Sequence, residues 1–383
     1  MIKKISHLFS KIRNKGIVGS VSAVITRLKR FLDIHYKFVK FIFSTKPTGK
    51  RILGIWDYKA LPWSIGDPLM FVEKLSIMKI ENNAEKVDIC IIYDPNMPGG
   101  NRKEKKITVD NVQDFMFDYL PLFTTCPYLG SVFLFNSRKE LSGFLKSNIE
   151  RYNIFPPLAE HLLEKYNFVG GEPHTFEIQN FFNAHGYIPY LRIGERETKW
   201  VQWFYTNILP KNAVPVVLSM RQPLSTLSER NANPLVWLSF IDRCRIDFPE
   251  ILFVVVGCRD EVFDGLMEMP NVVIAKSYGT SIIEDLALVR SSFLYLATTS
   301  GINTIVMFSD TPYLIFQMPN INSYGLEIED RFSFSTDKQK VFGTEISVTP
   351  DLLYGEFKKL YRKLDTKEWH IRVFGNNEKE IDE

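Results

Sequence analysis

Nine short apolar runs punctuate the chain, and their composition is the strongest constraint on its fold. They fall at 51–58 (RILGIWDY), 87–94 (VDICIIYD), 131–136, 188–193, 214–220 (VPVVLSM), 251–257 (ILFVVVG), 271–276 (NVVIAK), 293–298 and 312–316 (PYLIF). Most are apolar throughout, not alternating apolar and polar. Such runs read as strands buried on both faces, the hallmark of parallel sheets covered by helices. Helical signals lie between them. Asp67-Pro68 reads as an N-cap and first turn opening a helix to about Asn82. A second helix is expected over 234–247, and Ser281-Ile-Ile-Glu284 is a capping box opening a third, to about Arg290. A further helix is expected over 301–308, and a terminal amphipathic one over 351–364. Residues 140–186 give no element assignment. The alternation predicts α/β architecture, with two Rossmann-like domains facing across a cleft.

The formal net charge of +3 conceals an uneven distribution. Residues 1–51 hold 13 of the 47 Lys and Arg and one of the 44 Asp and Glu, so this segment carries +12 and the remainder −9. Within 1–50, Ile5, Leu8, Phe9 and Ile12 share one helical face, and Val24, Leu28, Phe31, Phe38 and Ile42 continue the stripe. This predicts a basic amphipathic helical arm, with 1–45 lying on an anionic membrane surface. Each basic residue there contributes about 1 kcal/mol. The alternative is that the stripe packs on the body and the charges are merely solvated. No folded nucleic-acid motif accompanies the arm, so nucleic acid is not an expected partner. The longest apolar run in the arm, 17–26, is broken by Gly19 and Ser20 and is shorter than a bilayer span. The scattered Cys90, Cys126, Cys244 and Cys258 suggest neither a zinc site nor a disulfide framework.

Ligands of open α/β sheets bind beyond the carboxyl ends of the strands, which selects three loops. In 59–67, Trp63, Ser64 and Gly66 precede Asp67, whose carboxylate is placed to take a proton from a hydroxyl nucleophile, kept ionised by the helix end; the alternative is a plain N-cap. In 221–231, Arg221 follows a buried strand, and Arg230 and Asn231 close the loop. Two arginines suit a diphosphate leaving group, although each could equally pair with a surface acid such as Glu229. In 298–303, Thr299, Ser300 and Gly301 lead into a helix whose start would face an anion; the alternative is an ordinary helix cap. The chain has no Asp-x-Asp triplet and no metal-ligand spacing among its six histidines. Neither a metal nor a cofactor is therefore expected.

Taken in order, these segments resemble GT-B glycosyltransferases, most of all the ADP-heptose:lipopolysaccharide heptosyltransferase group and other bacterial surface-polysaccharide transferases. The likeness runs over 214–316, through VVLSMR, FVVVG with Gly257, SIIEDLALV, TTSG and PYLIF, and is joined by Ser64-Ile-Gly66-Asp67 in the first half. It implies an acceptor-side domain at 51–205, a nucleotide-sugar-binding domain at 206–345, and a C-terminal helix and tail at 346–383. It further implies Asp67 as the base, with Trp63, Ser64 and Gly66 on the acceptor side. Arg221, Arg230, Asn231, Gly257, Thr299, Ser300 and Gly301 would bind the donor. Two positions depart from the family pattern: its Asp is Thr299 here, and its His three residues after the glycine is Thr304. The implied protein is a metal-independent glycosyltransferase with a nucleotide-sugar donor and a glycan or lipid-linked acceptor, peripheral to the cytoplasmic face of the inner membrane. A nucleotide-sugar 2-epimerase of the same fold and a non-catalytic glycan-binding or scaffold protein are the alternatives. Deleting residues 1–46 is expected to release the protein from anionic vesicles in a sedimentation assay; unchanged sedimentation would refute the membrane arm.

Overall fold

A computed structural model describes residues 50–96, 107–157, 171–221, 228–319, 321 and 330–375. The basic arm and residues 222–227 lie outside the described residues. In the first half, β1 (Arg51–Asp57) leads to α1 (Gly66–Glu81), β2 (Val87–Ile92), α2 (Val112–Phe123), β3 (Leu129–Phe135), α3 (Arg138–Asn148) and β4 (Tyr152–Phe155). Then come α4 (Gly171–His185) and α5 (Glu195–Asn207). The second half runs through β5 (Val214–Ser219), α6 (Pro234–Asp247), β6 (Ile251–Val255), β7 (Val272–Ile274) and α7 (Ile282–Ser291). It continues with β8 (Leu294–Thr298), α8 (Thr304–Met307), β9 (Tyr313–Met318), β10 (Gln339–Gly343), α9 (Pro350–Tyr361) and α10 (Thr366–Phe374).

Both sheets are parallel. The first has the order β3-β2-β1-β4, the second β10-β9-β8-β5-β6-β7. Counted from its own first strand, the second sheet has the 3-2-1-4-5-6 order of a Rossmann domain, and the first has its initial four strands. The switch points therefore fall between β1 and β4, and between β5 and β8. Burial explains the apolar runs: β2, β5, β6 and β8 are buried at every position. On β1, Ile52 and Trp56 join the main core, while Leu53 and Ile55 join a smaller one beneath α3. That split follows from alternation of side chains along a strand.

Three expectations change. Residues 188–193 were expected to form the fourth strand of the first sheet, but that strand is Tyr152–Phe155, within a stretch left unassigned from sequence. Instead 188–193 cross between the domains: the Leu191 N–H donates to the Phe308 carbonyl (3.1 Å) and the Arg192 N–H to the Thr125 carbonyl (2.9 Å). An apolar run is needed there because Ile188 and Leu191 are buried beneath both domains. The 205/206 boundary falls inside α5, which packs on the second domain; the Tyr205 hydroxyl donates to the Leu288 carbonyl (3.3 Å). The tail at 346–375 forms two helices, not one. Trp369 of α10 donates from Nε1 to the Ser291 carbonyl (2.9 Å), fastening α10 to the end of α7.

Helix α1 reaches the domain junction and carries one costly group. Glu73 is fully buried, and neither carboxyl oxygen has a hydrogen-bond partner. Burial drives its pKa well above the usual carboxylate range. The carboxyl is thus neutral in the folded chain and ionises on unfolding. The pH-dependent part of its penalty is absent below about pH 4.5 and grows as pH rises, by up to about 1.4 kcal/mol per pH unit until the folded pKa is reached. Glu73→Leu is expected to stabilise the protein, by more at pH 8 than at pH 5 in urea titrations. An equal effect at both pH values would place the pH dependence elsewhere.

Candidate active site

The mouth of the first sheet is held rigidly. Asp57, the last residue of β1, is fully buried; it accepts from Arg138 Nε (2.6 Å) and from the Lys59 N–H (3.0 Å). Its carbonyl accepts from the Ala60 and Leu61 N–H groups, turning the chain immediately after the strand. Trp63 is 1% exposed, stacked on Tyr58 at 3.8 Å and set edge-on against Phe115 and Tyr119. It was expected on the acceptor side, but it is a core residue with no face open to a ligand. Its role is to anchor the loop that delivers Ser64, Gly66 and Asp67.

Asp67 does not cap the helix. The helix begins at Gly66, with Ile65 at the cap position, so Asp67 lies in the first turn. The Ser64 hydroxyl donates to its carboxylate. Asp67 is half-buried, favourably placed against the positive end of α1. Its neighbour Gly66 makes the decisive contact. A Cβ built on Gly301 would lie 2.7 Å from Gly66 N and 3.1 Å from Ile65 Cβ; one built on Gly66 would lie 3.2 Å from Gly301 Cα and 3.3 Å from Thr304 Oγ1. The two glycines, 235 positions apart in sequence, thus bring their loops together backbone to backbone. Gly301 was expected to admit a ligand; what it admits is the other domain.

On the second sheet, Arg221 stands two residues after the end of β5. Its N–H donates to Thr298 Oγ1 (2.9 Å), at the end of the adjacent β8, and its carbonyl accepts from the Ala232 N–H (2.8 Å). Arg221 and Arg230 are both half-buried. The Asn231 carbonyl accepts from Gln317 Nε2 (3.1 Å). Gly257 has φ of +119°, a conformation suited to glycine, and its N–H donates to Asp285 (3.3 Å). Asp285 is buried, which raises its pKa, against the opposing charge of Lys276 at 2.9 Å.

The loop 298–301 spends its hydroxyls internally. Thr299 Oγ1 donates to the Phe316 carbonyl (3.2 Å) and Ser300 Oγ to Asn303 Oδ1 (3.1 Å). The helix expected over 301–308 is a 3-10 turn, Gly301–Asn303, followed by the four-residue α8. A helix this short has a weak dipole. Asn303, given no role from sequence, is the hub of the loop: it accepts from Tyr295 OH (2.7 Å) and Ser300 and donates to the Thr298 carbonyl (3.1 Å). Its amide, set among the mostly apolar side chains of GINTIVMF, was the available signal. His185 packs against Phe181 at 4.3 Å as part of an aromatic cluster.

Two surface hollows lie elsewhere. One sits among the charged side chains of β10 and α9; the other, about 350 Å3, lies between α2 and the starts of α5 and α7. Neither is lined by Asp67 or Arg221.

No protein-family model matches the chain, and no curated protein matches it in sequence. Solved structures do match in shape. The ADP-heptose lipopolysaccharide heptosyltransferase II of E. coli is 12% identical, with 82% of this chain and 99% of that one covered at a TM-score of 0.50. A family 9 glycosyl transferase from Veillonella parvula is also 12% identical, with 83% and 99% covered at 0.51.

Gly301→Ala is expected to strain the junction by about 1–3 kcal/mol, because the opposing atoms are backbone or anchored to it. Gly143→Ala, on α3 with nothing within 4 Å of the added Cβ, is the control and should be neutral or stabilising. Equal melting temperatures for the two variants would show that the glycine contact bears no load. At this level of identity the likeness is one of fold: the chain has the GT-B architecture of two Rossmann-like domains, with the start of α1 in one meeting the loop after β8 in the other at Gly66 and Gly301.

Proposed function

We propose that this protein is a glycosyltransferase that moves a sugar from a nucleotide-sugar donor to a hydroxyl of a glycan or lipid-linked acceptor. One observation carries the reading. The Gly66–Gly301 contact sets a carboxylate, Asp67, beside the loop at the switch point of the second sheet, where Arg221 also emerges. The fold it shares with a heptosyltransferase supports the reading, and with it a place in bacterial surface-polysaccharide synthesis, lipopolysaccharide or capsule. The basic arm supports docking on the cytoplasmic face of the inner membrane; among the described residues no helix is long and apolar enough to cross a membrane.

In this reading the Asp67 carboxylate takes the proton of the acceptor hydroxyl as its oxygen bonds to the anomeric carbon. The Ser64 hydroxyl, donating to the same carboxylate, fixes its orientation. The bond from the anomeric carbon to the diphosphate breaks, and Arg221 and Arg230 neutralise the departing charge. The remaining body carries −9 overall, so local arginines must overcome an unfavourable long-range field. The chemistry needs no metal ion in this scheme.

A thermal-shift screen with nucleotide sugars tests the proposal. Wild-type protein is expected to gain stability with at least one donor. Arg221→Ala should lose that gain while its own melting temperature stays close to wild type. Asp67→Asn should keep donor binding and lose about 100- to 10,000-fold in kcat. Absence of binding and turnover with every donor would sink the enzyme reading.

A further inference from the structure

Gln317 stands at the carboxyl edge of the second sheet with a backbone that ordinary residues avoid. Its φ is +59°, in the left-handed region that favours glycine. The pairing of β9 with β10 slips at the same place. Ile315 pairs with Val341 and Met318 with Gly343, so β9 spends one residue more than its partner. This is a bulge at 316–317, of the kind that re-aims side chains at the rim of a sheet. Its product is visible: the Gln317 amide donates from Nε2 to the Asn231 carbonyl at 3.1 Å. The adjoining Phe316 carbonyl accepts the Thr299 N–H at 2.9 Å. Consecutive residues of β9 therefore grip both candidate loops at the mouth of the second sheet, 221–231 through Asn231 and 298–303 through Thr299.

Resting on the glycosyltransferase reading, we infer that Gln317 is a positioning residue that fixes Arg230 and Asn231 relative to Arg221 for the donor diphosphate. The base of the loop is closed by the Ala232 N–H donating to the Arg221 carbonyl (2.8 Å), and Arg221 is tied to β8 through Thr298 (2.9 Å). Those bonds hold the loop's base at Arg221 and Ala232. Gln317 fixes its returning arm at Asn231, one residue from Arg230. Without it, Arg230 has a less defined place and each donor molecule must order it on binding.

Two substitutions separate this role from general stability. Gln317→Gly keeps the left-handed backbone at no steric cost and removes the side chain with its amide. Gln317→Glu keeps the length and replaces the donor with an acceptor, which repels the Asn231 carbonyl. Both should fold. In hydrogen exchange of the intact chain without ligand, the Ala232 amide is expected to exchange about tenfold faster in Gln317→Gly, as befits one lost hydrogen bond, with β5 unchanged. With the nucleotide sugar identified by the thermal-shift screen, KM for the donor should rise about tenfold while kcat stays within about twofold. Unchanged exchange at Ala232 overturns the clamp whatever the ligand. Faster exchange with unchanged donor KM overturns the positioning role. If wild type uses no nucleotide sugar, the glycosyltransferase reading and the donor role fall together, and the exchange experiment still decides the clamp.

Discussion

The contact between Gly66 and Gly301 is the constraint on which the rest of the arrangement depends. Each Rossmann-like domain presents its chemistry at the carboxyl ends of its strands. Two such edges are useful together only if they approach closely, and side chains normally keep backbones apart. Here neither residue has one. The start of α1 can rest directly on the loop after β8, with Cβ positions that would fall inside van der Waals contact. Everything proposed for catalysis is measured from that point: Asp67 is one residue from it on one side, and Thr298, which fixes Arg221, is three residues from it on the other. The connector at 188–193 also ties the two domains together, with backbone hydrogen bonds to each.

Around this contact the polar groups form a hierarchy. Asp57 and Asp285 are buried acids at strand ends or beside them, and each is held by a basic partner, Arg138 and Lys276. Such pairs add little net stability, because desolvation offsets the attraction. They do fix loop geometry. Asn303, Thr298 and Gln317 work without charge: amides and hydroxyls join neighbouring loops across the mouth of the second sheet. The groups proposed to meet substrate, Asp67, Arg221 and Arg230, are the half-buried ones. A rigid scaffold with partly exposed reactive groups is what a transfer reaction requires.

The sequence made parts of this site legible and hid others for identifiable reasons. Asp67 and Arg221 could be found because each follows a recognisable strand by a short, predictable interval. Trp63 was misplaced because the sequence of a loop does not reveal which aromatic side chain turns inward; Tyr58, Phe115 and Tyr119 are the reason it does. Thr299 and Ser300 were expected to offer their hydroxyls to a ligand. Their partners, the Phe316 carbonyl and Asn303, come from the neighbouring strand and the following turn. Gln317 gave no signal at all, since a left-handed φ at a non-glycine residue arises from a bulge that only strand pairing creates.

The sequence by itself determined most of the core strands and the class of fold. Runs of β-branched and aromatic residues must be buried on both faces, and capped amphipathic segments between them must cover those faces. That logic is local, so it survives without coordinates. Tertiary structure alone decided that residues 188–193 are a bridge and not a strand, and that α5 belongs with the second domain. It also decided that Gly301 makes room for Gly66. These outcomes depend on which distant atoms compete for the same space and the same hydrogen bonds, and no interval along the chain encodes that.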